Sequence, residues 1–100
     1  MAIGPRVLCI GDRLETTAEE LRGAGFDVML ARNAQAGRAL IHLYPPAAIL
    51  GDREHVWEVH QKHPQIPVVM VPADICGKIP PRFATDKVNE VLGKKEAAAG

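Results

Sequence analysis

Two aspartates follow a glycine directly at the end of an apolar run, Asp12 in "RVLCIGDR" and Asp52 in "AAILGDRE". A carboxylate placed there can help to hold a cation, or it can accept the orphan N–H groups at the start of a helix. Before "REHVWEV", Asp52 has the residue type and position of an N-cap, facing the positive end of the helix dipole. Asp12 reads as a turn residue ahead of the first helix. His55, His60 and His63 are separated by five and three residues, a spacing that does not stack all three on one helical face, so they read as surface histidines rather than as a metal site. Cys9 lies inside an apolar run with no base beside it in sequence and reads as core, whereas Cys76 falls in an irregular stretch and is expected to be more open. Trp57 belongs either to the edge of the core or to a contact surface. No G-x-G-x-x-G follows the first apolar run, so "CIGDR" offers no cradle for a pyrophosphate.

The elements that must position these residues alternate regularly. "RVLCI" is a short apolar run of the kind buried on both faces of a parallel sheet. Leu14, Ala18, Leu21 and Ala24 then recur at helical spacing, with Gly23 and Gly25 where that helix ends. "DVMLA" is a second strand. "NAQAGRALIHLYPP" is a second helix, with Asn33 as N-cap, a stripe of Ala36, Leu40 and Leu43, and a proline stop. "AAIL" is a third strand, "REHVWEVHQKH" a third helix burying Val56 and Val59, and "IPVVMV" a fourth strand. Beyond it, Asp74 to Phe83 is too short and too rich in proline for another full helix and strand. Thr85 is a candidate cap for a last helix with Val88, Val91 and Leu92 on one stripe, ending near Gly93. Strands separated by helices require right-handed crossovers, which places helices on both faces of a parallel sheet. In such sheets ligands collect at the carboxyl ends of the strands, which singles out the loops at Gly11, Gly51 and Pro72.

One hundred residues, 47% of them apolar, suffice for one small domain over residues 1–95, with 96–100 expected as a flexible tail. Twelve basic and twelve acidic side chains give a net charge of zero, which argues against nucleic-acid binding through a broad basic field. The first twelve residues lack the apolar length of a signal peptide or a membrane span, so a cytoplasmic protein with no membrane contact is expected. Two cysteines without C-x-x-C spacing fit reduced thiols, although their pairing stays open.

"RVLCIGDR", "AGFDVMLARNAQAGRALIHLYPPAAILGD" and "HPQIPVVMV" together resemble the receiver domains of bacterial two-component response regulators, from about Arg6 to Ala73 and more faintly through the last helix. The resemblance implies a flavodoxin-like α/β three-layer sandwich with a parallel sheet of four or five strands in the order 2-1-3-4-5, the region of the fourth helix and fifth strand being abbreviated. It also implies phosphoryl transfer from a histidine kinase to an aspartate at the end of the third strand, with Mg²⁺ held by neighbouring acids. Attack of a carboxylate on a phosphoryl group sets negative charge against negative charge, so a divalent cation and a fixed lysine are needed. Asp12 and Asp52 are then the candidate Mg²⁺ ligands, Asp52 the candidate phosphoacceptor and Lys78 the candidate phosphate partner. Gly51 takes the acceptor position instead if Pro45 rather than Pro46 replaces the usual proline before the third strand.

Departures from the pattern accompany the match. The acidic pair after the first strand falls on Gly11 and Asp12, so one carboxylate is missing. Pro72 replaces the hydroxyl residue at the end of the fourth strand and can neither bind phosphate through its side chain nor donate an N–H. Lys78 stands one residue too far from Pro80. The expectation is therefore a stand-alone degenerate receiver, not an enzyme, working through a protein partner such as a histidine kinase or another signalling protein, with Asp52 capping a helix. The alternatives are a working phosphoacceptor on Asp52 with Mg²⁺, and a flavodoxin-like small-ligand binder, for which no nucleophile and base pair is present. Apolar surface left open by the abbreviated segment would favour a homodimer.

Overall fold

The computed structural model describes residues 4–71 and 82–99, with side chains described up to Gly93. The elements run β1 (Arg6–Ile10), α1 (Glu15–Gly23), β2 (Asp27–Ala31), α2 (Ala34–Leu43), β3 (Ala48–Asp52), α3 (Arg53–Lys62), β4 (Val68–Val71) and α4 (Phe83–Ala99). All pairings are parallel, and the four strands lie in the order β2-β1-β3-β4. The expected α/β sandwich and its strand order are what the chain forms. Pro72, Cys76, Lys78 and most of the abbreviated segment lie outside the described residues.

Strand alternation divides the core into two layers. Val7 and Cys9 of β1 and Leu50 of β3 face α1 and α4, meeting Leu14, Ala18, Leu21, Ala84 and Val88. Leu8, Ile10 and Ile49 face α2 and α3, meeting Ala34, Ile41, Val56 and Val59. Both faces of β1 and β3 are therefore dry, which is why these strands read as unbroken apolar runs. Burial raises the Cys9 thiol from 9.0 to about 12, against a smaller opposing pull from the Arg22 guanidinium, so Cys9 is a core residue, as its setting in the sequence indicated.

The helix ends show where local reading worked. Asn33 caps α2, its Oδ1 accepting the Ala36 N–H at 2.9 Å. At the end of α1, Gly25 N donates to Arg22 O and Phe26 N to Leu21 O at 3.0 Å each, a Schellman pattern that turns the chain into β2. Three details differ from expectation. The buried stripe of α2 is Ala34, Gly37 and Ile41 rather than Ala36, Leu40 and Leu43, and Leu43 is exposed, because the helix is rotated to seat Gly37 against Ile10. Helix α4 continues through Gly93 to Ala99. Thr85 does not cap α4 with its own side chain. Glu20 of α1 does so instead, accepting from Arg82 N at 3.0 Å, Thr85 N at 3.1 Å and Thr85 Oγ1 at 3.0 Å.

Candidate functional site

Strand order reverses direction between β1 and β3. Chain from β1 proceeds to β2 on one side, while β3 lies on the other, so the loops after β1 and β3 part and leave a crevice at the carboxyl edge. Register sets what meets there. Ile10 pairs with Gly51, so Asp52 comes to lie beside Gly11.

Gly51 is confined by this pairing. A Cβ built on it would run into the backbone carbonyl of Ile10, so this strand position has no room for a side chain. Asp52, the last residue of β3, pairs with Val71 of β4 and supplies the carboxylate that the strand end presents. Gly11 has a φ of +152°, a backbone that L side chains rarely adopt, and a Cβ there would lie 2.9 Å from Asp52 Oδ2 and 3.2 Å from Leu14 Cδ1. The Asp52 carboxylate thus fills the space that a side chain at position 11 would need. The acid missing from the pair at 11 and 12 is missing for a steric reason.

Asp52 also departs from its expected role as a cap. It stands at the N-cap position of α3 with φ −59° and ψ 141°, yet its side chain makes no capping hydrogen bond. The carboxylate turns toward His55 instead, with Oδ2 3.5 Å from Nδ1 and the two side chains 28% and 30% exposed. The His55 Nδ1 atom is buried without a hydrogen-bond partner, so the contact is electrostatic and becomes an ion pair when the imidazole is protonated. His60 is likewise part-buried through its Nδ1, and His63 is the C-cap of α3. The three histidines do not converge. Asp12 is exposed in the loop before α1, and Trp57 is 53% exposed on α3, which settles it as surface.

Mg²⁺ prefers six oxygen ligands in near-octahedral geometry. Among the described residues no group of three or more His, Cys, Asp and Glu side chains could hold a metal ion. With one Asp52 oxygen set between His55 and Gly11, the described donor set does not fit Mg²⁺. Two depressions lie at the opposite edge, near the amino ends of the strands. One, of about 300 Å³, is lined by Pro5, Phe26, Asn89 and Leu92, and the other, of about 440 Å³, by Ile41, Pro46, His63 and Ile66. Both are shallow hollows away from the aspartates, and the strand-end carboxylates are the better guide to chemistry.

A solved structure shares this architecture. The crystal structure of the anti-anti-sigma factor PhyR from Bartonella quintana matches with a TM-score of 0.77 at 20% identity, over 99% of this chain and 51% of that one. The fold is receiver-like. This chain spans about half the length of that structure, and at such identity the likeness is one of fold. No family model matches the sequence, and no curated protein matches it.

Two contacts escaped sequence reading. His55 stands three residues after Asp52, so their meeting on one helical face was there to be seen in the spacing. Glu20 had no such signal, because its partners are 62 and 65 residues away.

Proposed function

We propose that this chain is a receiver-like signalling domain that acts by protein–protein contact and does not catalyse a reaction. The observation that carries the reading is the Asp52 carboxylate lodged over Gly11. An acyl phosphate on Asp52 would need a cation to offset its charge, and the room for the second acid that would hold that cation is taken by the acceptor itself. The solved neighbour is an anti-anti-sigma factor, a name that belongs to sigma-factor control, and it makes a regulatory protein of transcription the partner class for this chain. Phosphotransfer from a histidine kinase then has no part in ordinary function.

Incubation with acetyl phosphate and Mg²⁺, followed by intact-mass measurement, tests the reading. Wild-type protein is expected to remain unmodified, and cross-linking in cells is expected to join it to the same protein in the wild type and in Asp52→Ala. A phosphate adduct that disappears in Asp52→Ala, together with loss of the cross-linked partner in that variant, would replace this reading with a working phosphoacceptor.

A further inference from the structure

The start of α4 is held from outside. Its first turn brings Arg82 N, Thr85 N and Thr85 Oγ1 to the two carboxylate oxygens of Glu20 on α1, all at 3.0–3.1 Å. These three donors satisfy helix-end groups that would otherwise rely on a local cap. The residue at the turn, Arg82, has a φ of +70°, a left-handed conformation uncommon for a side chain of this size. Its carbonyl accepts the Asp86 N–H at 2.8 Å, so the turn and the cap form together.

The apolar grip of α4 is comparatively light. Ala84 and Val88 are its fully buried residues, with Phe83, Val91 and Leu92 partly buried beside them, whereas α1 inserts Leu14, Ala18 and Leu21 completely. Buried apolar area scales with side-chain size, so an alanine and a valine anchor α4 less firmly than two leucines and an alanine anchor α1. The carboxylate contact therefore carries an unusually large share of the docking of α4.

We propose that Glu20 is a latch, and that α4 opens as a separate unit when the latch is released, uncovering the sheet face that holds Cys9, Leu50, Val69 and Val71. This conformational device is independent of whether Asp52 carries phosphate. Elements whose docking rests on few apolar contacts are the ones that open below the global unfolding free energy.

Amide hydrogen exchange on wild type and Glu20→Ala, with thiol labelling of Cys9 in a Cys76→Ser background, tests the proposal. Alanine is the strongest helix former, so the substitution leaves α1 intact. In the wild type the α4 amides are expected to exchange faster than those of β1 and β3. Glu20→Ala is expected to speed α4 exchange and Cys9 labelling roughly ten-fold, the loss of charge-assisted hydrogen bonds at a part-exposed site, with β1 and β2 amides unchanged. Thr85→Val, which removes one of the three donors, should give a smaller acceleration in the same amides and provides the test if Glu20→Ala fails to fold. Equal protection of α4, β1 and β3 in the wild type, or an acceleration spread evenly over the domain, would overturn the latch.

Discussion

The tripeptide Gly-Asp-Arg occurs twice at the carboxyl edge, as Gly11-Asp12-Arg13 after β1 and as Gly51-Asp52-Arg53 at the end of β3. The same three residues meet opposite fates. After β1 the chain leaves the sheet at once: Gly11 turns at positive φ and donates its N–H to Ala31 O at 2.8 Å, Asp12 and Arg13 are exposed, and α1 begins only at Glu15. At β3 the sheet continues, because β4 offers partners for both Gly51 and Asp52, and α3 starts at the next residue. A strand flanked further along by a neighbour keeps its glycine and aspartate extended, and the one-residue offset in pairing then lays Asp52 beside Gly11. Local sequence is identical, so the difference comes entirely from which neighbours each strand end finds.

Substitutions at the two glycines separate the two fates most sharply. Gly51→Ala forces a Cβ against the Ile10 backbone, which cannot move aside as a side chain could, and the expected loss is about 3 kcal/mol or more by chemical denaturation. Gly11→Ala pays for positive φ and for crowding Asp52, with an expected loss of about 1–3 kcal/mol. Combining Gly11→Ala with Asp52→Ala should recover part of that loss, since the crowded atoms belong to both residues; strict additivity would mean that the carboxylate does not fill the space over Gly11.

The core under Gly11 gives a pH signature. Below pH 9 the Cys9 thiol is protonated in folded and unfolded chains alike and contributes no pH dependence. Between pH 9 and about 12 the unfolded chain loses the proton first, so stability falls as pH rises, by at most about 1.4 kcal/mol per pH unit. Cys9→Ala should remove that slope, and an unchanged slope would place the thiol outside the closed core.

The smallest effects distinguish the two aspartates. Asp52→Asn removes the charge facing His55 at a site less than a third exposed, with an expected cost of about 0.5–1 kcal/mol near pH 6. Asp12→Asn, on an exposed loop, should stay within about 0.5 kcal/mol of wild type. Equal effects would mean that the two strand ends are not electrostatically different.

Much of this protein was legible one segment at a time. Apolar runs in β1 and β3 that are dry on both faces, an asparagine at the start of α2 and glycines beyond α1 are all signals that act within a few residues, and each corresponds to what the chain forms. The stripe on α2 was misplaced because helical periodicity defines an apolar arc several residues wide, and the seating of Gly37 against Ile10 selects the rotation within it. Asp52 has the residue type of a cap, and that local preference yields to a histidine one turn along.

By itself, the sequence determined the alternation of strands and helices, and through the handedness of crossovers it determined a parallel sheet with two helical layers. Only the tertiary structure decided that Asp52 sits over Gly11 and that Glu20 closes the end of α4. The physical reason is range. Hydrophobic periodicity and turn chemistry are properties of neighbours along the chain, whereas strand register and helix docking bring together residues that carry no information about one another until the sheet has formed.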